Sequence, residues 1–188
     1  MPLGAARFGL LGGVADLGKL ELIETQTITT TTANVDFTDL GNYNVHFLTY
    51  NNAETDTDTK TIFARLSNNG GSSFIASGYQ YANQVGNSNG TFVEDKNTSA
   101  IGMSFSNFYG TGSNERGNGY CFFYNLLDSS KYSFTTSHHT MFDANPYYRF
   151  GFGSSVLPTA ETHNAIRLTQ SLGNIATLDV SLYGIRYS

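Results

Sequence analysis

From residue 19 to residue 187 the chain repeats one pattern. A short run alternates apolar and polar side chains, and a cluster of Gly, Asn, Ser or Asp ends it. Alternation with period two is what a strand with one buried face produces. The clusters supply the positive φ angles and local side-chain hydrogen bonds that turns need. The runs fall at 19–28, 34–39, 44–51, 61–67, 100–108, 120–126, 131–137, 147–152, 165–170 and 175–187. Residues 72–82 read as extended or as one helical turn. About ten strands so spaced predict an all-β chain, an antiparallel β-sandwich of jelly-roll type.

The same alternation names a core. In the first run Leu20, Leu22 and Ile23 are expected to face inward. Val35 shares a face with Phe37, as Ile62 does with Ala64 and Leu66, and Ile166 with Leu168. Leu178, Val180 and Leu182 line the last strand with Ala176. In run 44–51, Val45 and Phe47 lie on one face and His46, Leu48 and Tyr50 on the other. That marks a central strand, with His46 expected on its less buried side. The aromatics fall into two groups. Phe63, Phe105, Phe122, Phe134, Phe150 and Phe152 sit where a sandwich core needs bulk. Tyr79, Tyr81, Phe108, Tyr109, Tyr147 and Tyr148 sit in or beside loops, where rings meet a subunit or stack on sugar. The Asn/Gly-rich segments 83–99 and 109–119 read as long loops. They are the candidate ligand-binding loops, with Tyr79, Tyr81, Phe108 and Tyr109 as candidate contacts.

Residues 1–17 have neither period. Leu3, Phe8, Leu10 and Leu11 are apolar, glycines interrupt them, and Arg7 sits too far in for a signal peptide. This segment reads as a retained N-terminal arm that docks on another surface, with residues 18–188 as one sandwich domain.

Composition narrows the function. Charged residues are 13% of the chain, the net charge is -5, and the Lys and Arg residues number only 10. They are scattered singly, so no basic stripe exists to track a phosphate backbone, and nucleic acid is not an expected partner. No apolar run is long enough to cross a membrane as a helix, so no membrane insertion is expected. Cys121 is the sole cysteine and reads as a small buried hydrophobe. Phosphate-loop, dinucleotide, zinc-protease, nucleophile-elbow and paired-cysteine motifs are absent from the sequence.

The remaining polar groups are weak signals. His138 and His139 are adjacent, so on a strand they point to opposite faces and do not share a metal within one chain. His163 lies in a polar turn. Glu54, Asp56 and Asp58 recur at every second position, which suits either a calcium site or a solvated loop tip that keeps a sheet edge from pairing. The tip is the preferred reading, and no cofactor or metal is expected. Asn89-Gly-Thr and Asn97-Thr-Ser match the glycosylation pattern as a Thr/Asn-rich chain does by chance.

Several segments resemble small virion structural proteins of tailed phages of marine bacteria and cyanobacteria. They are the start Met1-Pro-Leu-Gly-Ala-Ala-Arg-Phe-Gly-Leu, the run Leu20-Glu-Leu-Ile-Glu-Thr-Gln-Thr, Val35-Asp-Phe-Thr-Asp-Leu and Tyr43-Asn-Val-His-Phe. The hairpin Arg65-Leu-Ser-Asn-Asn-Gly-Gly-Ser-Ser-Phe and the end Leu182-Tyr-Gly-Ile-Arg complete the set. The resemblance implies a jelly-roll-like sandwich on the virion surface, commonly a homotrimer, with no active-site residues. The expected function is therefore a non-enzymatic structural protein, a capsid decoration or cement protein or a short head fibre. Leu3, Arg7, Phe8, Leu10 and Leu11 would anchor it to capsid or tail components. The alternative is a receptor- or glycan-binding head domain of a tail fibre, recognising host surface glycan through the two loops. A jelly-roll glycan hydrolase needs a carboxylate pair in a cleft, and the sequence singles out none.

Overall fold

A computed structural model describes residues 19–142 and 147–186, with the side chains of 106–108 outside that description. Among the described residues there are twelve strands and no helix. They are β1 (Lys19–Ile28), β2 (Asn34–Phe37), β3 (Val45–Thr55), β4 (Lys60–Ser67), β5 (Tyr79–Asn87), β6 (Phe92–Ala100), β7 (Met103–Tyr109), β8 (Gly117–Tyr124), β9 (Ser133–Phe142), β10 (Tyr148–Leu157), β11 (Ala165–Gln170) and β12 (Ile175–Arg186). One sheet has eight strands in the order β1-β12-β3-β8-β9-β10-β5-β6, and the other has four in the order β2-β11-β4-β7. All pairings are antiparallel.

The path is that of a jelly roll. The first strand pairs with the last, and β2 pairs with β11, the last but one. Then β3 lies between β12 and β8, and β4 between β11 and β7. Two hairpins interrupt this wrapped double sheet, β5–β6 between β4 and β7, and β9–β10 between β8 and β11. Both join the larger sheet beyond β8, which doubles its width on one side only.

The core lies between the sheets. Leu48, Tyr50, Cys121, Phe123, Leu178, Val180 and Leu182 come from the larger sheet, and Phe37, Ala64, Leu66, Met103, Phe105, Ile166 and Leu168 from the smaller. Phe105 joins the layers, stacked on Tyr50 at 6.4 Å and edge-on to Phe123 at 5.9 Å. Strand β7 also packs across β5, β9 and β10, so the added strands keep a covered inner face.

Several expectations are corrected. Leu20 and Leu22 face outward, 53% and 60% exposed, beside Ile185 and Tyr183. A register shift between Leu22 and Glu24 breaks the strand's parity, and Ile23 packs against the core. His46 is fully buried and Phe47 is on the outside. Parity in β3 follows Leu48 and Tyr50, and the His46 ring that travels with them is held through Nε2 by the Leu40 carbonyl at 2.9 Å.

Segment 83–99 is not a long loop. It is the β5–β6 hairpin, turned by Asn87 to Thr91 with Gly90 at φ +89°. As the sheet edge, β6 is exposed along most of its length and carries Glu94, Asp95 and Lys96, so it lacks the apolar alternation that marks a strand. The second loop is shorter than 109–119, because Tyr109 ends β7 and Gly117 begins β8.

Candidate functional site

Tyr79 and Tyr109, assigned above to ligand contact, are fully buried. The Tyr79 hydroxyl accepts the Leu66 N–H at 2.8 Å and donates to the Ile75 carbonyl at 3.1 Å, and burial pushes its pKa up to about 12. Tyr81 is half-buried with its hydroxyl 3.3 Å from an Asp95 carboxylate oxygen. Desolvation, then that carboxylate, raises it to about 12. The Phe108 side chain lies outside the described residues, as do Leu3, Arg7, Phe8, Leu10 and Leu11. Tyr147 and Tyr148 are exposed.

Of the phenylalanines assigned to the core, Phe63 and Phe105 are buried, but Phe134 and Phe152 are exposed and Phe122 and Phe150 half-exposed. Two rings of each group are thus buried, and four of the six expected in the core lie outside it. The rings that leave the core gather on the outer face of the eight-stranded sheet, and that face is the candidate site.

Strand register builds it as parallel rows. One row runs Leu22, Tyr183, Phe47, Phe122, Thr136, Ser154, Ala82, Lys96 from β1 to β6. Its first half is apolar and bulky, with Phe47 and Phe122 at 4.6 Å between ring centroids. Its second half is small and polar. The row on one side brings Tyr120, His138, Phe152, Gln84 and Glu94 into line, and the row on the other brings Tyr124, Phe134, Val156 and Gln80. Thr136, Ser154 and Ala82 thus form the floor of a trough with rings rising on both sides. A hollow of 920 Å³ lies between Phe122, Phe152 and Lys96, and one of 730 Å³ between Phe134, Val156 and Lys96. They share Ala82, Lys96 and Ser154.

The trough's polar groups are specific. Tyr124 and Thr136 share a hydrogen bond at 3.0 Å between hydroxyls. The Tyr120 hydroxyl sits 3.4 Å from His138 Nδ1, and the His138 ring stands edge-on to Tyr120 at 5.8 Å and Phe152 at 6.4 Å. Lys96 and Glu94 are paired at 2.7 Å, which lowers the carboxyl pKa and raises the ammonium pKa. Among the described residues they alone bring Lys, Arg, Asp or Glu charge to the lining of either hollow.

The adjacent histidines take opposite faces. His138 is in the trough wall, while His139 is buried, and desolvation brings its pKa down to about 4. His163 is buried against the Ser133 hydroxyl at 2.8 Å, which gives the polar-turn histidine a structural bond. Cys121 is buried, and desolvation pushes its thiol well above the usual range.

The acidic triplet is dispersed. Glu54 pairs with Arg116 at 3.3 Å. Asp56 accepts the Asn174 N–H and side-chain amide at 2.7 and 2.8 Å, bonds that lower its pKa. Asp58 accepts the Thr111 N–H at 2.9 Å. The three carboxylates tie the end of β3 and the β3–β4 turn to the β7–β8 loop and to the β11–β12 turn, and among the described residues no group of three or more His, Cys, Asp or Glu side chains is placed to hold a metal ion.

Sequence reasoning missed the trough because its floor residues are unremarkable singly and converge only through register. One signal was present. In Phe150-Gly151-Phe152-Gly153 the glycines occupy every second position, and inward neighbours already fill the space beneath them. A Cβ on Gly151 would strike the His139 ring, and one on Gly153 would approach the Ala82 carbonyl to 2.6 Å. At 151 and 153 strand β10 therefore has no room for bulk inward, and Phe150 and Phe152 beside them face out.

No family model matches the chain, and no curated protein or solved structure is significantly similar to it.

Proposed function

We propose that the chain is a non-enzymatic structural protein of a tailed-phage virion surface, a capsid decoration or short head fibre. It assembles as a homotrimer, and residues 1–17 anchor it to capsid or tail components. The observation that carries this reading is the β1 edge. Among the described residues β1 has a neighbouring strand on one side only, and it presents Leu20 and Leu22 beside Tyr183 and Ile185. A free edge with an apolar stripe is a template for pairing and aggregation unless an assembly covers it. Residues 1–17 precede this strand in sequence, separated from Lys19 by Gly18 alone. The resemblance of the segments quoted above to phage virion proteins supplies the setting.

Two measurements test this. Light scattering coupled to size exclusion is expected to give three times 20.5 kDa for the full chain and a smaller mass for the Leu20→Ser/Leu22→Ser variant. Immunogold microscopy with antibody to residues 18–188 is expected to label particle heads, with the label lost on deletion of residues 2–15. A monomer at micromolar concentration refutes the trimer, and incorporation unchanged by the deletion refutes the anchor.

A further inference from the structure

We propose that the trough over Thr136, Ser154 and Ala82 is a binding site for a neutral oligosaccharide. It lies on the far half of the sheet face from the β1 stripe and does not rest on the assembly reading.

Charge is the first constraint on the occupant. An anionic ligand is drawn by excess positive charge, and among the described residues the one Lys or Arg in the lining, Lys96, is offset by Glu94 beside it. A cationic ligand meets the same balance. The lining is net neutral inside a chain of net charge -5, so the matching occupant is uncharged. Hydrogen bonding is the second. The N–H and C=O groups of β8, β9, β10 and β5 are spent between strands, so an extended peptide finds no ladder in the floor. What the trough offers instead is side chains: the hydroxyls of Thr136, Ser154 and Tyr124, the Gln84 amide and the His138 imidazole. These donate and accept at several heights, as a polyol requires.

The rings complete the match. A pyranose carries C–H groups of partial positive charge on its faces, and the negative face of an aromatic ring attracts them. Phe152, 52% exposed, and Tyr120, 39% exposed, flank His138 on one wall, and Phe134 stands on the other. From β9 to β5 the floor crosses two interstrand gaps of about 4.8 Å, roughly 10 Å, bounded by Phe122 on β8 and Lys96 on β6, which takes about two sugar rings end to end. Volumes of 920 and 730 Å³ fall in the range of small-ligand sites.

The test is calorimetric titration of the full chain with cellohexaose, laminarihexaose, maltohexaose and mannohexaose, and with dextran sulfate as the charged comparator. At least one neutral probe is expected to bind with a dissociation constant below about 10 mM. Ser154→Trp, which fills the trough from an exposed position, and Phe152→Ala, which removes a wall, are each expected to weaken it at least about tenfold with the melting temperature retained. Leu22→Ser, on the other half of the face, is expected to leave binding unchanged while altering assembly. Absence of binding by all four neutral probes overturns the proposal, as does binding that survives Ser154→Trp. Preference for dextran sulfate overturns it too. If Ser154→Trp instead dissociates an oligomer, a second copy occupies the trough. If sugar binds only after residues 2–15 are deleted, the arm does. Either outcome overturns the saccharide reading.

Discussion

Tyr79 tests the difference between a ligand contact and a core strut. Its ring is fully buried at the start of β5, and its hydroxyl bridges two backbone groups, the Leu66 N–H and the Ile75 carbonyl. Replacing Tyr79 with Phe keeps the ring and removes the bridge. The Leu66 N–H then lies buried with its acceptor gone, and such an orphan costs about 1–3 kcal/mol. For a chain of this size about 2 kcal/mol lowers the melting temperature by about 4–8 °C. Thermal and urea unfolding followed by circular dichroism measure this directly, and an unchanged urea m-value would show that the denatured state is not the cause. The titration with neutral sugars is expected to be unaffected, because the hydroxyl bonds to β4 and to the loop that precedes β5, on the buried side of the sheet and away from the trough. A melting temperature lowered by less than about 1 °C, or a sugar affinity that falls with stability intact, would refute the reasoning and return Tyr79 to the ligand.

Four further outcomes follow from the same packing. His139 titrates near 4 when folded and near 6.5 when unfolded, so the unfolded state binds more protons between those values. Stability is therefore full above about pH 6.5 and falls as pH drops toward 4, by about 3 kcal/mol from this residue alone. Urea unfolding of His139→Leu at both ends of that window is expected to show a shallower loss, the remainder coming from His46 and His163, which shift in the same direction. Gly153→Ala is expected to cost more than about 1 kcal/mol by urea unfolding, since its Cβ meets the Ala82 carbonyl, which is backbone and cannot swing aside. Asp36→Asn, which breaks the two-pronged pair with Arg167 between β2 and β11, is expected to cost about 1 kcal/mol, less at high salt. Asp56→Ala is expected to raise amide exchange at Asn174, whose N–H it holds, and no change there would contradict its role as a staple between turns.

How much of this was legible in the sequence depends on which question is asked of a strand. Where an element lies is a local matter, and the alternation placed most strands within a few residues, β1 and β11 among them. Which face is buried is not local. Strand β8 has Tyr120, Phe122 and Tyr124 on one parity and Cys121 and Phe123 on the other, and both sets are apolar enough to be a core. The four-stranded sheet decides between them, because it lies against the parity of Phe123, and nothing within 117–124 records where that sheet will lie. The same tie in β3 put His46 on the wrong side.

Edge strands fail differently. β6 is a strand because β5 pairs with it, not because it buries anything, so its residues could only be read as a loop. These two failures meet in the trough. Its wall rings belong to strands whose parity was misjudged, and its polar rim belongs to a strand that was not seen. A β-sheet surface site is a property of register across strands far apart in sequence, here residues 82, 96, 136 and 154, and register is fixed by turns and bulges rather than by the residues that line the site. Aromatic residues on both parities of neighbouring strands therefore carry a message of their own. One set must leave the core, and where it leaves from a widened sheet that a smaller one cannot cover, it is left facing something other than its own chain.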